Sequence, residues 1–186
     1  MKKSNKLVVC MLALALLAVT ALFALPYIKK MIYPMFYEEY IQKYSSEFNV
    51  PQELVCAVVY TESRFDKEAE SAVGAKGLMQ LMPETYGWIA KRLKEETGES
   101  QIKNPEINIK YGTYYLSYLY ERFEDWNTVV AAYNAGPNKV SQWLNDDNYS
   151  NDGKRLSKIP FSETDDYVNR VFSAEKQYKD LYFKGE

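Results

Sequence analysis

Glu62 stands in the stretch YTESRF, residues 60–65, with an apolar pattern ahead of it. Leu54, Val55, Val58 and Val59 precede it, so at helical spacing its carboxyl falls on the same stripe as these side chains. A carboxylate facing apolar surroundings costs free energy unless something pairs or uses it. Near the C-terminal end of a helix it also meets the negative pole of the helix dipole. Both effects push its pKa upward, toward that of a group able to donate a proton near neutral pH. The chain has no histidine. That removes Ser–His and Cys–His nucleophiles, the common zinc sites and histidine acid–base catalysis. Carboxylates and tyrosines must carry any proton transfer, and no cofactor or metal is implied.

The elements that must position Glu62 read as helices. Pro34 to Asn49 predicts a first helix, with Phe36, Tyr40, Ile41, Tyr44 and Phe48 on its apolar side. Asn49 and Pro51 offer the start of a second, running to about Ser63. A polar loop over 64–76 ends in VGAKG, and GLMQLM reads as a short helical piece leading to Pro83. PETYGWIAKRLKEE continues as a helix to about Thr97 and Gly98. Asn104 followed by Pro105 caps a long aromatic helix, WNTVVAAYN is stopped by Ala135–Gly136–Pro137, and NKVSQWL follows it. The polar run 145–160 predicts a long loop, of a length that is often mobile or functional. Ser162 with Asp165 resembles a capping box for the last helix. No strand alternation or internal repeat is present, so the class is all-α, with seven or so helices.

Ahead of these, Lys2, Lys3 and Lys6 lead into an apolar run, Leu7 to Leu25, followed by Pro26, Lys29 and Lys30. The run is long enough to span a bilayer as a helix and longer than a usual signal-peptide core. It predicts a transmembrane signal anchor over residues 1–30, a tether over 31–37 and one domain over 38–186. A cleaved secretory peptide is the alternative. A lipoprotein is rejected, because Cys10 stands near the start of the apolar run rather than after it. Cys56, inside an apolar helix, reads as a small core residue. The stronger basic cluster at the N-terminal side favours that end in the cytoplasm.

Of 23 basic and 25 acidic residues, residues 1–30 hold five lysines and no acid. The remainder is therefore acidic and carries no Lys/Arg block, which argues against a nucleic-acid binder.

Four blocks in order, ESRFDKEAESAVGAKGLMQLMP, NPEINIKYGTYYLSYL, AAYNAGPNKV and IPFSETDDYV, resemble the pattern of the lytic transglycosylases of the soluble murein transglycosylase type, a lysozyme-like family. The resemblance covers about residues 38–181. It implies a lysozyme-like all-α domain acting on peptidoglycan, with Glu62 as general acid and then base. The family cleaves the β-1,4 bond between N-acetylmuramate and N-acetylglucosamine without water, giving 1,6-anhydromuramoyl products. It implies substrate-binding roles for Ser71, Met79, Gln80, Tyr133, Asn134 and Glu163: Ser71 and Gln80 hydrogen-bonding the sugars, Met79 packing on a sugar face, Tyr133 orienting Glu62 through a hydrogen bond, Asn134 holding the loop or the acetamido side, Glu163 lining the groove. Tyr167 reads as core or as groove wall, and Trp88 and Trp126 as seals of the core. The loop FDKEAES departs from the family in lacking its usual proline.

A peptidoglycan substrate puts the domain on the outer face of the cell membrane, single-pass, or secreted if the anchor is cleaved. A partner in cell-envelope machinery is left open. Two other readings remain: a muramidase-type hydrolase, which needs a second carboxylate such as Asp66 or Glu68, or a water-holding pocket, and a non-catalytic glycan-binding scaffold.

Overall fold

Helix boundaries follow from left-handed residues and from capping side chains. The computed structural model describes residues 2–184. Helix α1, Lys2–Ile32, runs past Leu25 and through Pro26, and its stretch Met11–Ile32 is long and apolar enough to cross a membrane. Leu12, Leu16, Leu22 and Phe23 are exposed along it. This helix belongs to one compact unit, Met1–Pro34; Met35–Glu186 forms another.

Within the second unit, α2, Glu38–Phe48, begins later than the apolar pattern predicts, because Tyr37 takes a left-handed φ of 59°. Asn49 ends it in the same conformation (φ 54°). Pro51 then opens α3, Gln52–Ser63, whose residues Leu54 to Val59 are all buried. A helix apolar on every side is a core helix, and α3 lies against α8, Ser162–Tyr182. Arg64 and Phe65, both at positive φ, turn the chain sharply out of α3.

GLMQLM is not helical. The segment 70–81 is a folded-back loop with isolated bridges pairing Glu70 with Lys76 and Lys76 with Leu81. Gly77 is needed there: at φ 80° it lies so close to the Asn108 amide that a Cβ would overlap it. Helix α4, Pro83–Leu93, stops short of Gly98 because Lys94 takes φ 56°. A 3-10 turn, Glu99–Gln101, leads to α5, Pro105–Phe123, where the Asn104 side chain accepts from the Ile107 N–H as expected of a cap. Asp125 caps α6, Trp126–Ala135, through the Thr128 N–H, and Gly136 joins it to α7, Pro137–Leu144.

The 145–160 loop is tied down. Asp152 accepts from the backbone N–H groups of Lys154 and Arg155, Ser157 donates to the Tyr149 carbonyl, and Leu156 donates to Thr128 Oγ1. The capping box expected at Ser162 is absent: Phe161 is the N-cap, and no side chain caps it. Trp143 is the tryptophan buried in the core, while Trp88 and Trp126 are half-buried.

Candidate active site

Glu62 occupies the last turn of α3, with its side chain half-buried. Burial pushes its carboxyl from the ordinary value of 4.5 up to about 7, against the lowering effects of a hydrogen bond from Tyr167 and the charge of Arg170. Tyr167 is buried on the second turn of α8, and its hydroxyl donates to Glu62 Oε1 at 2.7 Å. Burial and the charge of Glu62 hold the Tyr167 phenol well above its ordinary range, so it stays a donor. Among the described residues, no hydrogen bond reaches Oε2.

This corrects the expectation for Tyr133. Its hydroxyl donates to the Met79 carbonyl at 2.8 Å rather than to Glu62. Burial and the nearby Glu62 charge both raise its pKa. Tyr133 therefore secures the 70–82 loop beside the glutamate. Helical spacing had left Tyr167 open between core and groove wall; only the approach of α8 to α3 selects it.

Met79 is the second correction. Its side chain is fully buried, and a Cβ on Gly112 of α5 would overlap its sulfur, so it is a core wedge and not a groove surface. Met82, three positions on, is exposed (39 %) and lines a cavity of about 230 Å³ with Gln80, Thr85, Tyr115, Tyr133 and Asn134. The register of the folded-back loop, which turns Met79 inward and leaves Met82 outward, has no signature in the greasy LMQLM pattern.

The loop is held from behind by Asn108. This buried side chain accepts from the Met79 N–H at 2.7 Å and donates to the carbonyls of Ile102 (2.6 Å) and Lys76 (3.0 Å). Asn108 lies inside NPEINIKYG, but sequence alone did not mark it; a polar residue buried on an apolar helix face was the available signal. Ser63, next to Glu62, donates to the Leu78 carbonyl at 2.8 Å and joins α3 to the same loop.

The remaining expected residues separate. Gln80, at φ 48°, directs its Nε2 to the carbonyls of Gly77 (2.9 Å) and Ala69 (3.2 Å). Asn134 is exposed at the end of α6, and its Oδ1 accepts from Thr164 at 2.9 Å, which draws the first turn of α8 toward it. Ser71 Oγ accepts from the Ala75 N–H at 3.0 Å and shapes the loop. Glu163 is exposed in the first turn of α8, and neither it nor Ser71 lines the 230 Å³ cavity. Asp66 and Glu68 are exposed, and Asp66 Oδ1 accepts from the Glu68 N–H at 2.9 Å, closing a local turn. Among the described residues, no group of carboxylates or cysteines is arranged to hold a metal.

The arrangement offers a single carboxyl with raised pKa, one oxygen held by a buried phenol, beside a polar and aromatic cavity. Comparison with known proteins bears on the chemistry. The family described as the Transglycosylase SLT domain matches residues 39–156. The Soluble lytic murein transglycosylase of Escherichia coli (strain K12) is 36 % identical over 159 residues, covering 83 % of this chain and 24 % of that protein. The Membrane-bound lytic murein transglycosylase C of Pectobacterium atrosepticum is 30 % identical over 162 residues, covering 75 % of this chain and 45 % of the relative. The crystal structure of the 70 kDa soluble lytic transglycosylase from Escherichia coli matches with a TM-score of 0.74 and 35 % identity, over 85 % of this chain and 26 % of that one. The chain thus spans about a quarter of the length of the soluble relatives it matches.

Proposed function

The chain belongs to the Transglycosylase SLT domain family, and from that premise we propose that it is a peptidoglycan lytic transglycosylase with Glu62 as its general acid and then base. It cleaves the β-1,4 bond between N-acetylmuramate and N-acetylglucosamine. The observation that carries the reading is the state of Glu62: burial raises its pKa to about 7, and Tyr167 holds Oε1. Oε2 is the oxygen left to carry the proton. Protonated, it delivers that proton to the bridging oxygen as the C1–O bond breaks. The substrate's own 2-acetamido group stabilises the positive charge developing at C1. Glu62, now a carboxylate, takes the proton of the muramoyl 6-hydroxyl as that oxygen closes on C1. The proton count balances, no water is consumed, and the attack is intramolecular.

The charge acting on Glu62 is the Arg170 guanidinium, and Asp66 is engaged in its own turn. Both features favour a one-carboxylate mechanism over the paired carboxylates of a hydrolase. Gln80, Met82, Tyr133 and Asn134 form the sugar-binding wall, Met82 taking the role expected of Met79. Ser71 and Glu163 border the groove from the loop and from α8. Helix α1 anchors the chain in the cell membrane with residues 38–186 on the wall side; of the tether expected over 31–37, residues 31 and 32 belong to α1 and 33–37 connect it to α2.

The test is mass spectrometry of the soluble products from purified peptidoglycan, with the full chain and its Glu62→Gln form. Muropeptides ending in 1,6-anhydro-N-acetylmuramate, absent with the variant, are expected. Reducing-end products, heavier by one water, would make the protein a hydrolase instead. Release of neither would leave a glycan-binding domain.

A further inference from the structure

Two buried hydroxyls, one helical turn apart on α8, reach across to other elements. Tyr167 donates to Glu62, and Thr164, three positions before it and so on the same side of the helix, donates to Asn134 Oδ1 at 2.9 Å. We propose that Thr164 is a positioning residue for the substrate: it holds the Asn134 amide with its oxygen toward α8, so that this amide offers the glycan donors only. This rests on the reading of peptidoglycan as substrate.

An amide side chain has one acceptor oxygen and two N–H donors, and either end can face a neighbour. Asn134 lines the 230 Å³ cavity from the end of α6. Its Oδ1 is taken up by Thr164, and among the described residues no hydrogen bond reaches its Nδ2. Gln80, on the same cavity, is arranged in the opposite sense. Its Nε2 is spent on the carbonyls of Gly77 and Ala69, which leaves Oε1 as an acceptor. The wall therefore presents one donor and one acceptor, each of fixed sense, and the partner of Asn134 is an acceptor oxygen of the glycan.

Two effects hold the amide against a flip. The Thr164 hydroxyl proton is buried and has Asn134 Oδ1 as its acceptor. Turned round, the amide would present N–H groups and leave that proton without one, which is costly away from water. Thr164 also lies in the first turn of α8, whose N-terminus no side chain caps. The free N–H groups there make a positive pole that favours an oxygen over an amino group. Glu163 and Asp165 share that turn, but both are exposed and screened by water, whereas Thr164 is not. Because Thr164 and Tyr167 lie on one side of α8, its packing against α6 and α3 sets the donor on the cavity wall and the hydrogen bond on the acid together. An amide already oriented loses little freedom on binding, which favours affinity.

The test is a double-mutant cycle on the affinity of uncrosslinked glycan oligomers for the full chain in detergent, carrying Glu62→Gln so that they stay uncut. Thr164→Val keeps the shape of the side chain and deletes the hydroxyl. Affinity is expected to fall by about tenfold, and Thr164→Ser is expected to restore it. With Asn134→Ala already present, Thr164→Val should change nothing further. Asn134→Asp, at an exposed position, replaces the donors by an oxygen and should lose at least as much as Thr164→Val. With Glu62 intact, Thr164→Val should leave the alkaline limb of kcat/KM in place, because Tyr167 still holds the acid; a general displacement of α8 would move it. Equal affinity of parent and Thr164→Val, no recovery with Thr164→Ser, additive losses in the cycle, undiminished affinity of Asn134→Asp, or a shifted limb each overturns the assignment. If the affinities follow the expected pattern but the unsubstituted chain releases no anhydromuropeptides, the positioning role stands and the catalytic reading falls. Failure of every oligomer to bind overturns both.

Discussion

Tyr167 reaches Glu62 across 105 positions of chain, its hydroxyl 2.7 Å from one carboxylate oxygen. The contact depends on α8 lying against α3, and it works against the burial that raises the Glu62 pKa. Burial therefore raises the pKa of this carboxyl against the Tyr167 hydrogen bond and the Arg170 charge, and the hydrogen bond can be removed by itself.

Tyr167→Phe keeps the buried ring and deletes the donor. The hydrogen bond lowers the Glu62 pKa, so its loss moves the alkaline limb of kcat/KM upward in pH. The rate at the optimum should fall by about tenfold or more, the scale of a lost hydrogen bond to a charged group. A limb that stays in place would mean that Tyr167 does not act on Glu62.

The raised carboxyl also ties stability to pH. The folded chain keeps the Glu62 proton to about 7, whereas the unfolded chain releases it from 4.5 upward. Stability therefore falls as pH rises through that window and levels off above it. Glu62→Gln removes the Glu62 share of this dependence, and at about pH 8 it should be more stable than the parent by about 3 kcal/mol. Denaturant unfolding near the two ends of the window measures this; parallel curves for both chains would contradict the pKa.

Asn108→Ala leaves the Met79 N–H and the carbonyls of Ile102 and Lys76 without their side-chain partner. Orphaning buried polar groups costs about 1–3 kcal/mol each, so a loss of at least about 3 kcal/mol is expected, together with a loosened 70–82 loop. Activity should fall even where the variant is fully folded. A variant as stable and as active as the parent would remove Asn108 from its role behind the loop.

The two methionines should separate stability from binding. Met79→Ala empties a core position and should cost about 2–5 kcal/mol. Met82→Ala should stay within about 1 kcal/mol of the parent while raising KM for glycan. Unfolding curves beside steady-state kinetics distinguish them, and the reverse pattern would restore Met79 to the groove.

Sequence alone reached what is local. The apolar run through Leu25, the Asn104 cap and the helix ending at Ser63 with Glu62 in its last turn all follow from periodicity and capping, which act over a few residues. The four ordered blocks carried the family. Pattern gave no access to the bridged 70–82 loop, because a greasy run of six residues suits a helix and a folded turn equally well, and only the Asn108 and Ser63 hydrogen bonds decide between them.

The sequence by itself thus singled out Glu62 as the candidate acid, the helix on which it lies and most of the helices that follow. The tertiary structure decided who touches it: Tyr167 rather than Tyr133 on its carboxylate, Met82 rather than Met79 on the cavity wall, Asn108 behind the loop. The reason is physical. Helical propensity and capping are settled within a turn or two of chain, whereas a side-chain hydrogen bond across 105 positions exists only after α3 and α8 have packed and excluded water from between them.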